Sequence, residues 1–265
     1  YCFAGCGALE SVCLPSTLTT ISGYAFQDCD NLTRVSLPET ITSIGANAFY
    51  SCDSLTTINI PSGVTSIGSY AFAYCEKAED LYIPEGVTSL GSSAFTGCNA
   101  LTSVTIPAGI TALSNSLFSG CSNLTEVVLH ENVTSIGQHA FDRCGFEEIT
   151  LPKNLVSLGE YAFQSCDSLK SITIPRSVDL VPQRAFASCP DLTEIIFRHG
   201  ANDSLLIGNE AFYTWEVSER VETTDEYGNT IVEYRQVPLQ TTVKVPNASS
   251  ILASVRNYDW SGSNR

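Results

Sequence analysis

The side chains with reactive chemistry in this 265-residue chain are eleven cysteines and three histidines. Nine of the cysteines recur every 23 residues with one 22-residue step: Cys6, Cys29, Cys52, Cys75, Cys98, Cys121, Cys144, Cys166 and Cys189. Each follows a phenylalanine by three positions, Phe3 to Phe186. Such a column offers a disulfide framework, a zinc site or buried thiols. If the repeats stack like paired strands, successive cysteines lie about 4.7–4.9 Å apart with parallel Cβ vectors. That leaves the Cβ atoms wider than the ~3.8 Å usual for a disulfide, and an odd column cannot pair completely. Zinc is disfavoured because the column holds no Cys-x-x-Cys pair and no interleaved histidine. The reading is free thiols buried as small hydrophobes.

His139 and Asp142 have the composition of part of a Ser–His–Asp triad, but no nucleophile elbow accompanies them. His139 shares its slot with Asn47, Tyr70, Ser93, Ser116, Tyr161 and Arg184. That variety reads as an exposed position. His130 and His199 fall in turns without a carboxylate at a suggestive spacing, and no phosphate-binding glycine loop or calcium loop is present. No catalytic, metal or cofactor-binding residue is assigned, and no cofactor is expected.

The elements that position these residues follow from the period. A fixed repeat of this length means a solenoid, each coil burying its apolar face against its neighbours. In residues 32–54, Leu32, Val35 and Leu37 precede Pro38. Alternation at Val35 and Leu37 predicts a short strand with Arg34 and Ser36 outward. Proline then ends the strand in a type I turn. Ile41 and Ile44 line the return path, and Gly45 marks a close backbone approach rather than a positive φ, since Pro182 fills the same slot. Ala48 to Cys52 predicts a tight helical or 3₁₀ turn that drives Phe49 inward.

The pattern L-x-x-L-x-L-P-x-x-[LIV]-x-x-I-x-x-x-A-F-x-x-C over residues 1 to about 212 resembles the BspA-like, or treponemal-type, leucine-rich repeat. The resemblance implies an extended curved solenoid on bacterial surface or secreted proteins, engaged in adhesion or host-protein binding, with no shared catalytic residue. An extracellular or cell-surface location is expected on that ground. Departures are local: Ala78 replaces the first leucine, Leu117 replaces the alanine, and Phe146 arrives one residue early in the 22-residue coil.

The expected architecture is a leucine-rich-repeat solenoid with a parallel β-sheet on one face, short strands and 3₁₀ turns on the other, and a C-terminal hairpin and cap. Its domains would be a solenoid over 1–212, of about nine coils and beginning mid-repeat, and a tail over 213–265. In the tail, Gly228-Asn229 between β-prone arms predicts a hairpin with Glu222 opposite Arg235. Val243-Lys244-Val245-Pro246 repeats the strand–proline signature, and 249–260 predicts a capping helix.

The outward strand positions form a threonine-rich floor with acidic patches. Candidate partner-binding residues are Glu79, Asp80, Tyr82, Glu126, Glu147, Glu148 and Glu194, with Tyr227 and Tyr234 on the hairpin, and Cys13 exposed on the same face. The net charge of −15 disfavours nucleic acid and anionic membranes. No apolar run is long enough to span a membrane. The start inside a repeat and the lack of methionine read as a piece of a longer precursor. The expected function is a monomeric, non-enzymatic binding module for a host or neighbouring protein. A structural spacer or a glycan-associated module are the alternatives.

Overall fold

Alternating apolar residues become three- and four-residue strands in the computed structural model, and each coil adds a second, two-residue strand on the return path. The structure describes residues 1–198, 205–208 and 211 in full, and the strand backbones of 217–224, 230–237 and 242–244. The first three coils carry β1 (Ser11–Cys13), β2 (Thr20–Ile21), β3 (Arg34–Ser36), β4 (Ser43–Ile44), β5 (Thr57–Asn59) and β6 (Ser66–Ile67). The next three carry β7 (Asp80–Tyr82), β8 (Ser89–Leu90), β9 (Ser103–Thr105), β10 (Ala112–Leu113), β11 (Glu126–Val128) and β12 (Ser135–Ile136). The 22-residue coil has only a return strand, β13 (Ser157–Leu158), and β14 (Ser171–Ile174), β15 (Leu180–Val181), β16 (Glu194–Phe197) and β17 (Leu206–Ile207) follow.

All pairings between coils are parallel and one repeat apart, as in Ile58 opposite Leu81 and Ile67 opposite Leu90. The return strands form the longer ladder, with β2, β4, β6 and β8 in one sheet. The first six front strands pair in twos, β1 with β3, β5 with β7 and β9 with β11, whereas β14 and β16 belong to a three-stranded sheet. Strands this short contribute few bonds each, so cohesion between coils rests on the interior. There Phe3 through Phe186 stack with ring centroids 5.1–5.9 Å apart and interplanar angles of 2–18°. Burying one such side chain stabilises by roughly 1.5–3 kcal/mol.

The phenylalanine turn explains how so tight a coil satisfies its backbone. Tyr50 N–H donates to Asn47 O within the turn, a 3₁₀-type bond, while Asn47, Phe49 and Ser51 N–H donate to Ser69, Ala71 and Ala73 O of the next coil. Bonds within and between coils thus alternate residue by residue. A helix cannot do this, and among the described residues there is none. The alternation requires positive φ at two slots per coil, for example 56° at Asn47 and 52° at Ser51. The glycine slot behaves as the sequence implies. A Cβ on Gly91 would lie 2.2 Å from Ser69 N, and no positive φ is involved.

The tail begins with an antiparallel hairpin of β18 (Val217–Thr224) and β19 (Thr230–Val237). Its register corrects the sequence expectation. Glu222 faces Val232, and Arg235 faces Glu219, with Thr224 opposite Thr230. A hairpin register is set by its connection, and here five residues rather than Gly228-Asn229 alone separate the paired ends, which shifts the pairing by three. The backbone of β20 (Thr242–Lys244) then pairs parallel with β16, Val243 opposite Ile195. The expected capping helix at 249–260 lies outside the described residues.

Candidate functional site

The front face presents the acidic and aromatic residues singled out from the sequence, but not as one patch. Asp80 and Tyr82 lie on β7 opposite Thr57 and Asn59, and Tyr82 is 67% exposed. Glu79, just before the strand, donates its backbone N–H to Thr56 O and is exposed. Glu126 and Val128 occupy the equivalent places on β11, opposite Ser103 and Thr105, with Val128 47% exposed. Strand β9 between them exposes only the small hydroxyl residues Ser103 and Thr105.

Glu147 and Glu148 are not on a strand, and Glu148 makes a single bridge to Ser171. Glu147 accepts a hydrogen bond from Lys170 Nζ at 2.5 Å across one coil, a contact that raises the Lys170 ammonium above its ordinary pKa. The pair is exposed on both sides and adds little stability, but it removes Glu147 from the free acidic surface. Glu194 is half-buried opposite Ser171 and Thr242. Tyr227 lies outside the described residues, and Tyr234 stands on β19 opposite Arg220. Cys13 is exposed on β1, as expected from the sequence, whereas Cys6, expected in the buried column, is exposed. In later coils the thiol of this slot reaches the phenylalanine carbonyl of the coil before it, as Cys52 does to Phe26 O.

The 22-residue coil makes a notch that the sequence does not announce. Regular coils place two residues between cysteine and the next core position, whereas Cys144 is followed by Gly145 alone before Phe146. Only glycine fits, because a Cβ there would sit 2.2 Å from Ser122 O. Phe146 fills the leucine position and meets Phe141 and Phe163 edge-on, at 5.9 and 6.0 Å. The shortened loop opens a cavity of about 870 Å³ lined by Ser122, Arg143, Gly145, Ser165, Asp167 and Asp191, among others. Beside it, buried Asp142 has Oδ2 3.6 Å from His139 Nδ1 and 3.7 Å from Arg143 Nη1. Burial pushes the Asp142 carboxyl upward against the pull of Arg143 and His139. His139 is half-buried rather than exposed, its ring stacked on Tyr161 at 4.7 Å. At 3.6 Å the His139–Asp142 pair is longer than a hydrogen bond. Among the described residues no group of three or more His, Cys, Asp or Glu is placed to hold a metal ion.

Sequence reasoning also missed an aromatic strip. Tyr50, Tyr70 and Tyr74 gather on the phenylalanine-turn edge, and Tyr24 stacks on Tyr1 at 4.9 Å. The available signal was Tyr50, Tyr70 and Tyr74 close together in two neighbouring coils.

The profile of the BspA type leucine rich repeat region matches in six copies, over residues 1–125 and 111–227. The chain belongs to the BspA-type leucine-rich repeat family. Its fold is similar to that of a leucine-rich repeat protein from Bacteroides ovatus, at 26% identity and TM-score 0.60, covering 80% of this chain and 66% of that one. It is likewise similar to a leucine rich cell surface protein from Faecalibacterium prausnitzii, at 28% identity and TM-score 0.60, covering 77% and 67%. A leucine-rich repeat protein of Treponema pallidum matches at 33% identity and TM-score 0.51, covering 63% and 68%. The chain therefore spans about two thirds of the length of these relatives. No curated protein matches it.

Within a BspA-type coil, the leucine, proline, glycine, phenylalanine and cysteine slots are framework. What varies from coil to coil of this chain lies between them: Asp80 and Tyr82, Glu126 and Val128, the Gly145 notch and the tyrosine edge.

Proposed function

We propose that this chain is a non-enzymatic binding module, displayed on or released from a cell surface, whose front face engages a protein partner. The observation that carries the reading is the repeated pairing of an acidic residue with an exposed apolar one. Asp80 with Tyr82 and Glu126 with Val128 occupy the same slots two coils apart, roughly 10 Å at strand spacing. A low floor of serine and threonine separates them. Exposed aromatic and aliphatic anchors beside charge are what a protein interface uses for affinity and register. A basic partner is favoured by the chain's net charge of −15. Repeat proteins of this kind commonly bind along such faces. The surface location is supported by likeness to the leucine rich cell surface protein of F. prausnitzii. Among the described residues no helix is long and apolar enough to cross a membrane. The segment 213–265 is read as closing the solenoid through β20.

The test is a binding screen of the full chain against extracellular-matrix proteins by biolayer interferometry, with Tyr82→Ser and Val128→Thr together and Asp80→Lys and Glu126→Lys together. Both pairs change surface positions that neighbouring coils fill with Thr57, Asn59, Ser103, Thr105, Glu148 and Thr150. At least tenfold weaker binding by each pair is expected. Equal binding by all forms would remove the front face from the account.

A further inference from the structure

The front face carries a second regularity at twice the coil period. Arg34, Asp80 and Glu126 open β3, β7 and β11, in one slot two coils apart, and Ser36, Tyr82 and Val128 close the same strands. The strands between, β5 and β9, present Thr57 with Asn59 and Ser103 with Thr105. Every one of these side chains is exposed. Arg34, Asp80 and Glu126 form no ion pair with a described residue. A charged row of plus, minus, minus thus runs beside a row of hydroxyl, aromatic and aliphatic groups, with low ground at every second coil. Glu79 adds a carboxylate at the Asp80 station, and the row ends at Glu148, whose coil has no front strand.

The length of this step selects the conformation of a chain laid along it. Two coils measure about 9.6 Å at ladder spacing. The rings of Phe72, Phe95 and Phe118, 5.8 and 5.5 Å apart, set a wider step of up to about 11 Å in the interior. An extended strand repeats its facing side chains every ~6.7 Å or ~13.4 Å, and neither fits. Polyproline II returns every ~9.3 Å, short of both figures, and puts no side chain at the halfway point. An α-helix returns every seven residues, about 10.5 Å, within the range. It also presents residues i+3 and i+4 halfway along, where Ser103 and Thr105 leave the face low. The two rows stand about 6.7 Å apart, and a helix about 10–12 Å across covers both.

We propose that the front face receives an amphipathic α-helix of the partner, lying along the solenoid axis with one acidic and two basic residues at successive heptad positions. This deepens the reading above and rests on it. The basic residues pair with Asp80 and Glu126, and the acidic one pairs with Arg34. An apolar residue between them lowers onto Thr105, flanked by Tyr82 and Val128. The order of signs turns the acidic end of the helix toward β1 and penalises the reverse direction through like-charge contacts.

Fluorescence anisotropy of the full chain with a labelled synthetic peptide of four heptads tests the site. The peptide carries leucine along its apolar face and Glu, Lys, Lys at three successive heptad positions. Saturable binding is expected. Three changes to the peptide should each weaken it at least tenfold: exchanging Glu with Lys, inserting one alanine between the heptads of the two lysines, and re-spacing the same residues every third position in a polyproline background. In the protein, Arg34→Glu, Asp80→Lys and Glu126→Lys together should reverse the preference, so that the charge-exchanged peptide binds at least tenfold better than the original. Should that variant unfold, Glu126→Lys alone is expected to weaken the original peptide at least threefold and to strengthen the exchanged one. No binding of the original peptide overturns the helix, as does equal binding of the exchanged or interrupted peptide, or tighter binding of the polyproline one. If the helix fails while Tyr82→Ser with Val128→Thr still abolishes matrix-protein binding, the front-face reading stands without it. Unchanged matrix-protein binding by that pair removes both.

Discussion

The Sγ of Cys75 donates to the carbonyl oxygen of Phe49, 26 residues earlier, at 3.3 Å. The same bond joins Cys52 to Phe26, Cys98 to Phe72, Cys121 to Phe95, Cys144 to Phe118 and Cys189 to Phe163. Phe49 O otherwise receives only the long Cys52 N–H contact at 3.3 Å, because the inter-coil ladder uses the carbonyls on either side of it. The thiol is therefore a donor as well as a filler. It is small enough for the interior and able to satisfy a carbonyl that no backbone amide of the next coil reaches.

Cys75→Ala is expected to cost about 1–3 kcal/mol, from the lost donor and the space left behind. Cys75→Ser, which keeps a donor, should cost less. Urea denaturation of the two variants decides the matter, and the reverse order would reduce the thiol to a space-filler.

The buried column also sets the alkaline limit of the fold. Burial raises the thiols of Cys29, Cys52, Cys75, Cys98, Cys121, Cys144 and Cys166, with Cys98 pushed up to about 12 from an ordinary 9.0. Above about pH 9 the unfolded chain releases these protons while the folded chain keeps them, so stability falls as pH rises, by up to ~1.4 kcal/mol per pH unit for each thiol. A urea midpoint series from pH 7 to 10.5 should show a steep decline beginning near pH 9. Under native conditions at pH 8, iodoacetamide should label Cys2, Cys6 and Cys13 and spare the eight buried cysteines.

Glycine tolerance should divide sharply by slot. Gly91→Ala drives a Cβ to 2.2 Å from Ser69 N, a backbone atom that cannot swing away. A loss of about 3 kcal/mol or more is expected. Gly86→Ala meets its nearest atom, Ser62 O, at 3.4 Å, an ordinary contact, and should change stability by less than about 1 kcal/mol. Similar melting temperatures for the two would mean that neighbouring coils slide apart easily.

Packing was the legible part of this chain. Phe49, Cys52, Pro38 and Gly45 recur because every coil meets the same neighbour, so their columns report the fold directly. The Glu147–Lys170 pair was also within reach, since the two share one slot one coil apart. Hidden features depend on what periodicity averages away. The left-handed backbone under Tyr74 left a trace in Gly97 and Gly120 of the same slot, whereas the slot of Tyr70, with no glycine, hides it. The notch arises from a single missing residue, whose effect on three adjacent loops is a matter of volume rather than pattern. The hairpin register escaped because the two-residue Gly228-Asn229 loop was the wrong connection: Thr224 pairs with Thr230, with five residues between them.

Asp142 gives the last prediction, and it runs against the usual behaviour of a carboxylate. Its Oδ1 is buried without a hydrogen-bond partner among the described residues, and burial outweighs the attraction of Arg143 and His139. The folded-state pKa therefore lies above that of the unfolded chain. The folded protein takes up this proton more readily than the unfolded chain does, so the site costs stability at neutral pH. That cost fades as pH falls through the folded pKa toward the ordinary 3.8. Equivalent positions in other coils hold Ala73, Thr96, Ser119 and Ala187, so the backbone accepts a small residue. Asp142→Ala should raise stability at pH 7 by about 1 kcal/mol, the scale of an unsatisfied buried polar group. Thermal melts of both proteins from pH 7 to pH 4 should converge on the acidic side. A variant less stable than the parent at pH 7 would instead mean that the pairs with Arg143 and His139 outweigh burial, and that the notch is held together by its charges.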